Sequence, residues 1–280
     1  MSRRAVLDSL RRRQTLASFD YQWGEIPSGD AMLSDPWFVE NADQILAEEM
    51  LGVDRRWFRG REALDAGCGG GRWTLALLRL GCRVTAVDFS SRALASTRAQ
   101  MERLAADAIG EGRLAIERAD LMRPAPSLAR RFDLVFSFGV LHHTGDTRRA
   151  LANVAAMTRD DGLLFVYLYG AGSLTRLRRA ALALTRAGLA PLGFRAKHAL
   201  LARVLPGRDT HQAFDLLSPL VNDRRRRAEV EGWLREMGFT DVAQTIPHEE
   251  LFLRAARAAC GARPFLPPAS PPYWFERYRR

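Results

Sequence analysis

Between residues 61 and 170 the chain alternates two hydrophobic rhythms. Short apolar runs occupy residues 63–66, 83–88, 114–118, 132–138 and 163–168, each the length of a strand. Residues 73–80, 91–104 and 147–158 lie between them and carry apolar side chains three or four apart, the period of an amphipathic helix. Strands that alternate with helices predict βαβ units and a parallel sheet. Right-handed crossovers place every strand's carboxyl end on one edge, and ligands bind outside that edge where the strand order reverses.

The flanks read differently. Residues 1–60 predict helices interrupted by an aromatic loop, Phe19 to Glu25, with a helix start at Ser34-Asp35-Pro36. Residues 171–223 break the alternation with two helix-like stretches and a Pro206-Gly207 break, a length that reads as an inserted lid. Residues 224–256 return to a helix, a Gly238 cap and two strands, at 239–246 and 249–254. Residues 257–280 form a tail rich in Pro, Arg and aromatics, expected to be peripheral.

With 280 residues, 47% of them hydrophobic, the chain is globular rather than disordered or collagenous. Its net charge of +10 comes almost wholly from arginine, Lys197 being the one lysine. Arginine bias is a weak pointer to nucleic acid by itself. Cys68, Cys82 and Cys260 have no metal-ligand or disulfide spacing, so no metal is expected and a reducing, cytoplasmic setting is. The arginine-rich start lacks the apolar stretch of a secretory signal, and no run is long enough for a membrane span. Residues 174–189 are the best candidate for membrane contact, but the expectation is a helix packed on its Leu/Ala stripe.

The sharpest chemical signal is Asp65-Ala66-Gly67-Cys68-Gly69-Gly70-Gly71-Arg72, a strand entering a glycine loop and then a helix. Glycines let backbone N–H groups approach a ligand, and a helix N-terminus favours negative charge. A dinucleotide fingerprint starting at Gly67 would need a third glycine at position 72, where Arg72 stands. The spacing is instead Gly67-x-Gly69-x-Gly71 with an acid two residues upstream.

That pattern resembles motif I of the class I S-adenosylmethionine-dependent methyltransferases. The resemblance covers residues 60–170, with a general match over 224–256, and it implies a Rossmann-like, seven-stranded, doubly wound α/β sheet with an antiparallel last strand. It implies S-adenosylmethionine as cofactor, with Gly67 and Gly69 admitting its methionine portion and Asp65 and Cys68 among the cofactor-binding residues. Asp88 matches the acid that holds both ribose hydroxyls, since one carboxylate accepts two hydrogen bonds. Phe89 follows as the ring that packs on adenine, and Asp120 with Leu121 matches the position that accepts from the adenine amino group. The fourth strand and its exit, Phe132 to His143, resemble motif IV of small-molecule members and bring in Phe138. Asp161 replaces the first glycine of the family's Gly-Gly turn. Phe19-x-Tyr21-Gln22-Trp23-Gly24 resembles some members only, with Tyr21 and Trp23 expected to close over the cofactor.

Taken singly, Asp65, Asp88 and Asp120 also read as ordinary turn or cap residues; their coincidence at three strand ends favours the cofactor reading. His142 and His143 at the mouth of the fourth strand are candidates for the base that deprotonates an acceptor, or for pocket walls. His211 and Asp215 in the lid are weaker candidates for substrate contact, expected instead as solvated loop residues. The expected activity is methyl transfer to a hydroxyl, amine or activated carbon of a small molecule. RNA methylation and a non-catalytic cofactor-binding module are the alternatives. Arg224 to Arg227 read as a solvated face beside Glu229 and Glu231, and Ser270-Pro271-Pro272-Tyr273 as a chance likeness to a DNA methyltransferase motif.

Overall fold

A computed structural model describes residues 3–26, 31–123, 125–172, 174–205, 210–257 and 268–279. Cys260, the Pro206-Gly207 break and the start of the tail lie outside the described residues. The chain opens with α1 (Arg3–Glu25), α2 (Ala31–Ser34) and α3 (Pro36–Gln44). Asp35 caps α3 by accepting from the Trp37 N–H, with Pro36 in the first turn as the sequence predicts.

The core follows as β1 (Glu62–Ala66), α4 (Arg72–Arg79), β2 (Arg83–Asp88), α5 (Ser91–Leu104), α6 (Ala106–Gly110), β3 (Leu114–Arg118), β4 (Phe132–Phe138), α7 (Thr147–Met157) and β5 (Thr158–Leu168). The lid carries α8 (Arg176–Leu189), α9 (Phe194–Val204) and α10 (Thr210–Leu217), so three helices stand where two are expected. The chain then returns through α11 (Arg227–Glu236), β6 (Asp241–Gln244) and β7 (Leu251–Ala256), and α12 (Tyr273–Arg279) follows.

The seven strands form one sheet in the order β3-β2-β1-β4-β5-β7-β6. β1 to β5 pair in parallel, and β7 runs antiparallel between β5 and β6. This is the doubly wound α/β sheet expected, with its order reversing between β1 and β4. Alternate side chains serve opposite faces. Ala63, Leu134 and Phe136 join one core with α3, α4 and Trp274, whereas Leu64, Val135 and Leu164 join the other with α7 and α11.

Three expectations are overturned. The aromatic stretch at 19–25 is no loop but the end of α1, where Thr15, Ser18 and Gln22 are buried one helical face apart. Polar contacts to the lid hold that face: Ser18 donates to Ser218 Oγ at 2.7 Å, and the Val221 N–H donates to Thr15 Oγ1 at 2.9 Å. The end of the tail is not peripheral, because Trp274 is buried against Trp73 and Tyr278 donates to the Asp35 carboxylate at 2.6 Å. The Leu/Ala stripe of α8 does not pack inward: the helix has no buried residue, and Leu177 is 80% exposed.

Candidate active site at the strand ends

β1 hands the chain to the glycine loop at the sheet's reversal. Gly67 and Cys68 donate their N–H groups to the Val87 carbonyl at 2.8 and 3.0 Å, which ties the loop to β2. Gly67, Gly69 and Gly71 have φ of +90°, +54° and +90°, conformations that L side chains rarely adopt. A Cβ on Gly67 would lie 2.4 Å from Val140, just past β4, and one on Gly69 would lie 2.5 Å from Trp23 of α1. Trp23 therefore does sit on the loop.

Asp65 is buried beneath the loop and accepts from Thr74 Oγ1 at 2.6 Å. Burial dominates over that bond and pushes its carboxyl up to about 7. Cys68 is buried too, its thiol raised by burial and by Asp65, so it packs as a small apolar side chain. Asp88 ends β2 and accepts from the Gly69 N–H at 3.1 Å and the Ser90 N–H at 2.9 Å, one bond per oxygen. Each oxygen keeps a second lone pair. Burial raises its carboxyl despite these bonds. Phe89 is half-buried, with the Arg118 guanidinium 5.2 Å from its ring centre.

Asp120 stands after β3 as expected, but its carboxylate is engaged by a residue that the sequence did not single out. Arg12 Nη2 donates to both oxygens, at 2.6 and 2.8 Å, and Arg12 Nε donates to the Thr144 carbonyl. Burial would raise this carboxyl; the Arg12 and Met122 N–H bonds outweigh it and hold it below the usual range. Leu121, by contrast, is buried in the second core and does not line the cleft. Phe138 packs at a tilt against Tyr167 at 4.5 Å and Trp73 at 5.2 Å, beside the Arg72 guanidinium, and so belongs to an aromatic cluster rather than to the glycine loop. Tyr21 faces Phe194 and Phe214 of the lid at 5.6 and 5.5 Å, and so anchors α1 to the lid rather than closing over the loop.

The histidine pair lies at the end of β4 on a short turn, Leu141–His143. His142 is fully buried, stacked on Tyr169 at 3.9 Å, and neither ring nitrogen has a hydrogen-bond partner among the described residues. His143 Nδ1 lies 2.8 Å from the Val221 carbonyl. A carbonyl only accepts, so Nδ1 carries the hydrogen and Nε2 keeps its lone pair. That nitrogen is 3.8 Å from Asp215 of α10, which also accepts from the Tyr169 hydroxyl at 3.1 Å. Burial holds both imidazoles below their ordinary value, His142 well below, so both are neutral near pH 7.

His211 and Asp215 are not solvated loop residues. Both ride on α10 at the site, His211 edge-on to Trp23 at 4.8 Å and hydrogen-bonded at Nδ1 to Gln22. Burial pushes His211 down to about 3. Arg12 and Tyr169 join the site although no local motif marks them, and Gln22 and Val140 join it from within the stretches at 19–24 and 132–143 that the resemblance marks. Three of the four arginines at 224–227 are paired in place: Arg224 with Glu250, Arg225 with Asp223 and Glu229, and Arg227 with Glu231.

Residues 64–164 match the profile of a family described as a methyltransferase domain. The chain is 31% identical over 167 residues to a ubiquinone biosynthesis O-methyltransferase of Rhizobium leguminosarum, an alignment covering 59% of this chain and 56% of that protein. It is 30% identical over 140 residues to the mitochondrial ubiquinone biosynthesis O-methyltransferase of Schizosaccharomyces pombe, covering 50% and 49%. The chain thus spans about half the length of these curated relatives. Among solved structures it is similar to an O-methyltransferase family protein of Burkholderia thailandensis, with a TM-score of 0.55 at 16% identity over 82% of this chain and 58% of that one. It is also similar to the putative methyltransferase seen with the Trm112 activator of Haloferax volcanii, with a TM-score of 0.53 at 16% identity over 85% and 97%. Profile, sheet order and acid-flanked glycine loop agree on a methyltransferase domain over residues 64–164 of this chain.

Proposed function

We propose that this protein transfers a methyl group from S-adenosylmethionine to a hydroxyl of a small molecule enclosed between the strand ends and the lid. The residues present fit the cofactor. The positive-φ glycines leave room that no Cβ could share, Asp88 has lone pairs to spare for the ribose hydroxyls, and Asp120 is an acceptor at the adenine position. Arg12 and Trp23 now cover Asp120 and Gly69, so binding requires α1 to give ground at those two side chains.

The observation that carries the reading is the tautomer of His143. With Nδ1–H committed to Val221, Nε2 is a neutral base that faces the Asp215 carboxylate of α10 at 3.8 Å. An acceptor hydroxyl placed between them would give its proton to Nε2, and Asp215 would stabilise the resulting imidazolium. When bound, the cofactor supplies a methyl on a sulfonium, which leaves as a neutral thioether without help from an acid. The chain's task is to align acceptor and methyl and to exclude water. The O-methyltransferase names of the relatives support a hydroxyl over an amine or carbon. The pairing of Arg224, Arg225 and Arg227 with carboxylates argues against a phosphate track for RNA.

The test is transfer of labelled methyl to a panel of hydroxylated aromatic, quinol and sugar acceptors, with RNA transcripts in parallel. Activity on a small acceptor is expected, with a rate that holds level through neutral pH and falls only below the ordinary histidine range, where His143 protonates. His143→Gln should lower kcat at least about a hundredfold while leaving cofactor affinity intact. Labelling of RNA alone would overturn the acceptor assignment; cofactor binding with no turnover on any acceptor would leave a binding module.

A further inference from the structure

The lid wears its apolar side outward. On α8 the half-buried residues are Leu182, Arg186 and Leu189, and Arg186 donates to the Leu216 carbonyl of α10. Opposite them, Leu177, Ala180, Ala181, Leu184, Ala187 and Gly188 recur three and four apart, and all are exposed, Leu177 by 80% and Leu184 by 74%. α9 extends the face with Leu200 and Val204, the latter 63% exposed. Exposed arginines rim it: Arg176, Arg178 and Arg179 on α8, Arg195 and Arg203 on α9. Residues 174–205 contain no Asp or Glu.

A surface helix of a globular protein turns such a stripe to the core. Here the stripe faces solvent within a wholly basic field, which specifies what covers it. A second copy placed by two-fold symmetry would set these arginines against their own counterparts. RNA would engage the arginines but leave the leucines wet, with no exposed aromatic on the stripe to stack a base. An anionic lipid surface satisfies both, since acyl chains take the leucines and headgroups the guanidinium groups. At about 21 Å α8 is too short to span a bilayer, and among the described residues no helix is long and apolar enough to cross one.

We propose that the outer face of α8 and α9 docks in the plane of an anionic membrane surface. α10, which carries Asp215 beside His143, contacts α8 from beneath, so the docking face and the site share one lid. The proposal stands apart from methyl transfer, because it rests on exposure and charge alone.

The test is co-sedimentation of the full chain with phosphatidylcholine vesicles holding roughly one-third phosphatidylglycerol, and with vesicles of phosphatidylcholine alone. Binding is expected to the anionic vesicles and to weaken as salt rises. Leu177→Gln with Leu184→Gln should weaken it at least about tenfold, since both side chains would leave the acyl region. Arg176→Gln, Arg178→Gln and Arg179→Gln together should weaken it and flatten the salt dependence. All five side chains are exposed, so unchanged unfolding midpoints and S-adenosylmethionine titrations show that the fold and the cofactor site persist. The proposal is overturned if the chain ignores anionic vesicles, or if the leucine variant pellets like the wild type. It is equally overturned if the leucines matter only to self-association in sedimentation velocity, or if an RNA oligonucleotide outcompetes the vesicles without regard to them.

Discussion

Arg12 and Asp120 are 108 residues apart in sequence, yet one guanidinium nitrogen of Arg12 donates to both oxygens of the Asp120 carboxylate, at 2.6 and 2.8 Å. This ion pair ties α1 to the end of β3 at the position where an adenine amino group would donate. Arginine and adenine compete for one acceptor. Arg12→Ala should therefore tighten S-adenosylmethionine binding, by about threefold to tenfold for a half-exposed pair of this kind. Titration at low and high salt would check it, because salt weakens the pair and should narrow the gap between variant and wild type. Weaker binding in the variant would mean that Arg12 helps to build the site.

Asp65 links the site to pH. Its carboxyl is raised to about 7 by burial, so the folded chain holds this proton more tightly than the unfolded chain does. The group's contribution to stability is full below the ordinary carboxylate range and is lost as pH rises through about 7. Asp65→Asn cannot ionise. The difference in unfolding midpoint, variant minus wild type, should grow by several degrees between about pH 5 and about pH 8. A constant difference would show that Asp65 ionises freely in the folded chain.

Trp274 tests whether the C-terminal helix belongs to the core. It is buried against Trp73, while Arg277 and Tyr278 reach Asp35 at the start of α3. Trp274→Ala should cost about 3–5 kcal/mol in denaturant unfolding. A loss within about 0.5 kcal/mol would return the tail to the periphery.

What could be read from the sequence was whatever is local. β2, β3 and β4 fall at the residues that apolar runs mark, and Gly67, Asp88 and Asp120 fall at strand ends because a parallel sheet leaves its ligand loops there. The misreadings concern faces that local pattern cannot orient. The stretch at 19–25 reads as a loop, yet it continues α1, whose polar face at Thr15, Ser18 and Gln22 is buried because the lid supplies its partners. α8 carries a good apolar stripe, and the period alone does not say which way it points. His211 and Asp215 gain their places from α10, which meets Gln22 of α1 and Tyr169 just past β5 through contacts made between distant residues. Arg12 and Tyr169 have no motif, because they meet the site only in three dimensions.

Calorimetric titration of the wild type and of Asp88→Ala with S-adenosylmethionine, S-adenosylhomocysteine and NAD is the most direct test. Micromolar binding of the first two ligands, none of NAD, and loss of both by Asp88→Ala at an unchanged unfolding midpoint are expected. Asp88→Asn, which keeps one acceptor oxygen, should restore part of the affinity and guards against a loop that collapses in the alanine variant. Binding of NAD alone, or undiminished S-adenosylmethionine affinity in Asp88→Ala, would contradict the assignment of this edge as a methyltransferase cofactor site.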